Sequence, residues 1–335
     1  MIDIEKTKKN INNMFVHRSK KHKHKTDELI EEILQEALKR AETHDVILYQ
    51  AYHIAVTDNN DFLRNSKFDK NINWYIDLVE FYDDVSKSIK RIRPSYSKMP
   101  DRSLTSTAYL FADHFYNYET RANYLGHKTF TAMWRFKRSA KKALIYKRLG
   151  KRKKAMKKLL YACHFLADMN QPHHVGNQID RRGKIVRFLN TRLHMNGIKD
   201  GVFSAHSEYE ALVKRWIKDE DRIKMFLGEN SKEEFLLDSL LDSNEVYKYL
   251  IGDKFEEMKS KDDRDKVKYL YNKNRQMPLN DYCEYIGNES AKYAVQFVDD
   301  SNKHGSKKQL LATVRALNMT EVQVARFLYY FCNLD

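Results

Sequence analysis

Cysteine is nearly absent from this chain. Cys163, Cys283 and Cys332 are the only three, too few and too scattered for a disulfide framework or a thiolate zinc site. Their scarcity fits a reducing compartment. Proline and glycine are also sparse, 4 and 10 among 335 residues, which removes most of the breakers that punctuate sheet proteins. No apolar run approaches the roughly 18 residues that a membrane-crossing helix needs. The opening Met1-Ile2-Asp3-Ile4-Glu5-Lys6 lacks the apolar stretch of a secretory leader, so a cytoplasmic location is expected. What remains is 42% apolar and 12% aromatic, enough for a sizeable core, so wholesale disorder is excluded.

Scarce breakers and apolar residues at three- and four-residue spacing predict an all-α protein. Leu29, Ile30, Ile33, Leu34, Ala37, Leu38 and Ala41 form one such stripe. Near the C-terminus, Thr320 and Gln323 predict a capping box ahead of Val324, Phe327, Leu328 and Phe331. The prolines add punctuation: Pro94 and Pro100 bracket a loop, Pro172 ends a helix, and Pro278 sits in a late turn. No solenoid-length repeat is visible. The expected organisation is a basic tail over residues 1–26 followed by a single multi-helix domain over 27–335, a monomer with a metal cleft.

Charge is concentrated. Lys and Arg exceed Asp and Glu by 15, and the segment 135–158 alone holds 13 Lys or Arg with no acidic residue. Gly150 divides it into two expected helices whose cations surround Ala140, Leu144, Ile145 and Leu149. Two interpretations stand: a solvated helical face, or a surface for a phosphate-rich partner, either an anionic membrane or nucleic acid. The run Arg18–Lys25 is a second basic stretch, and its His22 and His24 imitate a metal motif.

The thirteen histidines carry most of the chemical information. In CHFLADMNQPHH, Cys163 to His174, His164 and Asp168 stand at i, i+4, on one helix face a turn apart. Pro172 stops that helix and lets His173 or His174 face back. Imidazole and carboxylate are the ligands zinc accepts where cysteine is absent. Leu159, Leu160, Ala162, Phe165 and Leu166 make the surroundings apolar, so an ionised Asp168 needs a cationic partner. The alternative is a helix-terminal Asp beside two surface histidines. His206 and Glu210 repeat the i, i+4 spacing, with Tyr209, Leu212 and Val213 as the buried side. Asp101, behind Pro100, and His114, inside the aromatic run FADHFY, are two further members; alone, His114 reads as an ordinary half-buried histidine.

Together these pieces resemble the bacterial zinc-dependent phospholipase C family, whose wider superfamily includes the S1/P1 nucleases. The matching elements are HxxxDxxxxxH at His164, Asp168 and His174, HxxxE at His206 and Glu210, and FADHFY at 111–116. Asp101 lies 13 residues before His114, Thr43-His44-Asp45-Val46-Ile47 resembles the family's early THxxI, and His174 is followed by Asn177 at the family's spacing. The likeness runs in order over about residues 43–216. It implies an all-helical fold and a cluster of two or three zinc ions. Asp101, His114, His164 and Asp168 would hold the first, His174, His206 and Glu210 the second, and His44 with a bridging Asp168 the third. His174 is preferred over His173 because its ten-residue step from His164 matches the family. The implied activity is phosphodiester hydrolysis by zinc-bound hydroxide at a phospholipid headgroup, with Asp101 as ligand, general base or both, and Arg102, Phe111 and Asn177 as substrate contacts.

Three departures from the family shape these expectations. Its third zinc uses an N-terminal Trp, whereas Trp74, Trp134 and Trp216 all follow His44 here, so two zinc ions are the alternative to three. The 31 residues between His174 and His206 include Gly176, Gly183, Gly197 and Gly201 and six Lys or Arg; they predict a lid or a plain surface excursion. Arg102 stands where choline-selective members carry an aromatic, which disfavours a quaternary ammonium. The competing functions are a single-strand nuclease, and a non-catalytic zinc-stabilised helical protein that binds acidic partners.

Overall fold

The computed structural model of the protein describes residues 43–55, 99–101, 111–176, 209–214, 244–303 and 305–334. The tail, the expected helix at Glu28–Ala41, and residues 177–208 of the Gly-studded segment lie outside them. The described residues are mostly helical and contain no strand, only an isolated bridge between Asn117 and Ala122. The longer helices are α1 (Thr43–Ala55), α2 (Ala132–Arg148), α3 (Arg152–Asp168), α4 (Pro172–Gly176), α5 (Asn244–Ile251), α6 (Asp263–Asn274), α7 (Leu279–Val295) and α8 (Lys307–Cys332). The all-α expectation holds.

Helix α8 is the axis of the packing. Its 26 residues make a rod about 39 Å long. Leu310, Val314, Met319, Val322, Phe327, Leu328 and Phe331 are all buried, against α1, α3, α6 and α7. The helix is buried on nearly every side, polar residues included, which places it inside the core. The capping box expected at Thr320 is not there. Ser306 caps the helix instead, its Oγ accepting from Gln309 N–H at 3.1 Å, while Gln309 Oε1 accepts from Gly305 N–H at 2.8 Å. Thr320 is interior to the helix, and its hydroxyl donates back to the Ala316 carbonyl at 2.6 Å. The true Ser-x-x-Gln signal lies at the start of this same helix, well upstream of the apolar run used to place the cap.

Helices α2 and α3 form an antiparallel hairpin, as Gly150 suggested. Gly150 takes φ +67°, a left-handed conformation that glycine adopts without steric cost. Gly150 N–H donates to Lys147 O and Lys151 N–H to Tyr146 O, both at 2.9 Å, a Schellman closure of α2. Pro172 does not end α3, which stops at Asp168; it opens α4. Gly287 of α7 packs against the far end of the hairpin. A Cβ there would lie 2.6 Å from Met133 Cε and 2.9 Å from Met169 Cε. That close approach seats the C-terminus of α3 and with it Asp168.

Two charged groups are buried in α8. Arg326 is answered by Glu289 of α7 at 2.6 Å and by Gln323 at 2.8 Å. Glu321 is buried too, and desolvation, with Asp263 adding, raises its carboxyl to about 8. A carboxyl raised in the folded state favours folding below its unfolded pKa, and that favour is lost as pH rises through 8. Glu321→Gln is therefore expected to melt a few degrees above the parent at about pH 9, the gap closing by about pH 4. Melting curves across that range check it.

Candidate metal centre

Six polar side chains from separate parts of the chain meet at the C-terminal end of α3. His44 comes from the first turn of α1, Asp101 from the turn after Pro100, His114 from a 3-10 turn at Ala112–His114, and His164 and Asp168 from α3 itself. His174 comes from α4. Backbone bonds fix these pieces: Tyr116 N–H donates to His174 O at 3.1 Å, and Ala132 N–H, at the start of α2, to Phe115 O at 3.2 Å. The 3-10 turn is entered through Phe111 at φ 57°, an unusual conformation for a bulky residue, locked by His114 N–H donating to Phe111 O at 3.0 Å.

Asp168 is at the middle. Its Oδ2 lies 2.9 Å from His114 Nδ1 and 3.4 Å from His164 Nε2. Its Oδ1 lies 3.3 Å from His174 Nδ1 and 3.6 Å from His44 Nε2. Each oxygen thus serves two imidazoles. Asp101 Oδ1 closes one side, 3.3 Å from His164 Nε2 and 3.7 Å from His114 Nδ1, with its side chain still 43% exposed. Glu210, on a helical segment at 209–214, stands at the rim, 3.5 Å from His174 Nε2.

This spacing bears on what the donors can hold. Four tetrahedral ligands at zinc's usual bond length stand about 3.3 Å from one another. Among Asp101 Oδ1, His114 Nδ1, His164 Nε2 and Asp168 Oδ2, five separations fall between 2.9 and 3.7 Å. His114 Nδ1 and His164 Nε2 face each other at 3.2 Å, a contact in which only one ring can carry the proton and both lone pairs suit a cation. The Nδ1 atoms of His44 and His164 are buried with no hydrogen-bond partner among the described residues, so His164 is engaged through Nε2 alone. Two sets satisfy a three-ligand geometry: His44, His164 and Asp168, and Asp101, His114 and His164. The residues fit a divalent cation of zinc's ligand preference.

Electrostatics agree. Burial pushes the Asp168 carboxyl up, but His164, His174 and His114 hold it well below the usual range. Burial pushes His164 down, yet Asp168 and Asp101 outweigh it and raise the ring to about 9. His174 is raised to about 10 against burial, by Asp168 and Glu210. His44 goes the other way, lowered by burial and by the charge of His164. Asp101, pushed up by burial, ends below its ordinary value through His164, His114 and His44. Without metal, protons hold the acids together; a divalent ion would displace them.

The structure thus gathers His44, Asp101, His114, His164, Asp168 and His174, with Glu210 at the edge and Phe111 on the wall. His206, Arg102 and Asn177 lie outside the described residues. Of the adjacent histidines, His174 turns to Asp168, while His173 contacts Ser301 Oγ at 3.2 Å and packs on Tyr209. Two supports were not anticipated. Asp113 is fully buried, 3.8 Å from the outer nitrogen of His114, and held by Arg135 at 2.7 and 2.8 Å. Arg135, counted with the basic segment, is in fact internal to this support, and no spacing rule joins residues 113 and 135. Gln171 receives His174 N–H at 2.8 Å and reaches Glu210 at 3.4 Å. A cleft of about 510 Å³ opens over the cluster, walled by Ile47, Phe111, Phe115, Tyr209 and Leu317, with Lys214 on its lining.

The family model described as zinc-dependent phospholipase C matches residues 108–296, more than half of the chain. Among solved structures, the alpha toxin from Clostridium absonum is similar with a TM-score of 0.50 at 17% identity, over 89% of this chain and 65% of that one. The chain therefore spans just under two thirds of that protein's length. The alpha-toxin of a Clostridium perfringens avian strain, SWCP, gives a TM-score of 0.48 at 16% identity, over 87% and 63%. Among curated proteins none matches. At such identities the first likeness speaks for the helical fold.

Asp168→Asn is expected to lower zinc affinity at least about 100-fold, and Asp113→Asn, which loosens His114, by about 10-fold or more. Metal content after dialysis against graded chelator reads both. Undiminished zinc in Asp168→Asn contradicts the assignment.

Proposed function

The chain belongs to the zinc-dependent phospholipase C family, and on that premise we propose that it hydrolyses the headgroup phosphodiester of a phospholipid. The observation that carries the proposal is the convergence of Asp101 Oδ1, His114 Nδ1, His164 Nε2 and Asp168 Oδ2 at tetrahedral-edge spacing beneath an open, largely apolar cleft. We assign these four to one zinc, His174 and Glu210 with His206 to a second, and His44 with Asp168 to a third where three ions bind. When bound, zinc supplies a nucleophilic water at neutral pH and positive charge for the phosphoryl oxygens.

The chain's own groups do the rest. Asp168 fixes the imidazoles from both sides and keeps their lone pairs directed inward. Arg135 and Asp113 brace His114 from behind, limiting its rotation. Asp101 is the one acid of the first group whose side chain remains partly exposed, at 43%, and its carboxylate is suited to take the proton of the attacking water. Phe111, Phe115 and Leu317 offer apolar walls for acyl-chain methylenes next to the diester. Lys214 on the lining and Arg102 in the sequence favour a headgroup other than choline.

The purified protein is expected to release phosphorylated headgroup from phospholipid vesicles, to stop on chelation and to recover with zinc. Asp101→Asn should lower kcat by about 10²–10⁴-fold. Cleavage of single-stranded DNA with phospholipid left intact would replace this function with a nuclease. Inertness of the zinc-loaded protein toward both, and toward a generic phosphodiester, would leave a structural metal.

A further inference from the structure

Apart from Arg135, the cations of the hairpin take no part in the metal centre, which uses only His164 and Asp168 from the far end of α3. The hairpin's turn lies about 24 Å along α3 from Asp168, and it carries a surface of its own. Ile145 and Leu149 are 45% and 59% exposed, among the few large apolar side chains of the described residues to be so. They sit on the outer stripe of α2 with Arg138, Lys141 and Arg148, positions spaced three and four apart and all exposed. At the turn this stripe runs into Lys151, Arg152, Lys153 and Lys154, exposed likewise. None of Arg138, Lys141 and these four pairs with a carboxylate among the described residues.

The cations at the turn stand where they cost stability. Arg152, Lys153 and Lys154 occupy the first turn of α3, which has no acidic residue there and no side-chain cap. Positive charge at a helix N-terminus opposes the macrodipole. Deeper in the hairpin, Lys158 is lowered by burial and by its neighbours Lys142, Lys157, Arg135 and Arg138, so like charges are crowded along its length. An anionic partner along this face would relieve the crowding.

We propose that the α2–α3 hairpin is a docking surface for anionic phospholipid bilayers, lying along the headgroup layer with Ile145 and Leu149 inserted and the surrounding cations on lipid phosphates. Aliphatic side chains amid Lys and Arg are the composition of an interfacial helix. Single-stranded nucleic acid is the less suited occupant, because it calls for open aromatic faces. The hairpin's rings are half-buried and each already has a cation over it: Arg138 over Trp134 at 4.8 Å, Lys158 over Tyr161 at 4.4 Å and Lys154 over Tyr146 at 5.9 Å. The surface is independent of the proposed activity, since binding is read without turnover.

Co-sedimentation with phosphatidylcholine vesicles, with and without phosphatidylglycerol, tests it. The parent is expected to bind the anionic vesicles and release in high salt. Combining Lys151→Glu, Arg152→Glu and Lys153→Glu should weaken that binding at least about tenfold. The same changes place acids at the N-terminus of α3, so Tm should hold or rise. Leu149→Asp, at an exposed position, should weaken binding at unchanged Tm. Undiminished vesicle binding by both variants, equal binding to neutral vesicles, or capture of a single-stranded oligonucleotide with no vesicle binding would each overturn the proposal.

Discussion

A carboxylate buried at the C-terminus of a helix is the constraint on which this structure depends. Asp168 is almost wholly removed from water, at the negative end of the α3 dipole. An unanswered charge in that position costs several kcal/mol. Four imidazoles answer it: His164 from the preceding turn of the same helix, and His44, His114 and His174 from three other segments that packing must deliver. The close approach of Gly287 to Met133 and Met169, the burial of Ile47 behind His44, and the Tyr116–His174 backbone bond are all parts of that delivery. A core arranged to bring so many imidazole nitrogens to one anion is arranged for a cation, protons in the absence of metal and a divalent ion in its presence.

Helix α3 is charged against its own dipole at both ends. Its first turn is Arg152-Lys153-Lys154 and its last residue is Asp168. Ordinary helices place acids first and bases last. Departures from a local rule concentrate where a protein does something with the strain, and the two ends of α3 are where a metal centre and a lipid surface are assigned. Lys147, by contrast, follows the rule, its ammonium donating to the carbonyls of Phe331, Cys332 and Leu334 as α8 runs out.

Helical class was legible because periodicity and scarce breakers are local properties, and the pairing of His164 with Asp168 followed from one turn of helix. The choice of His174 over His173 came from family spacing, and the geometry turns the same ring inward. Positions that depend on tertiary closure were not legible. Asp113 with Arg135 spans 22 residues and two elements, and composition alone had placed Arg135 on the outer patch. The start of α8 was misplaced because Thr320 and Gln323 imitate a capping box, while their real surroundings are the interior of a long buried helix. Ala140, Leu144, Ile145 and Leu149 were grouped only as apolar residues surrounded by cations; the structure buries the first two and leaves the last two in solvent.

The most direct test of the central claim is an anomalous difference map at the zinc edge from crystals of the zinc-loaded protein. The expected result is a peak within bonding distance of Asp101, His114, His164 and Asp168 together. Density at the surface only, or none while the protein retains zinc in solution, would contradict it.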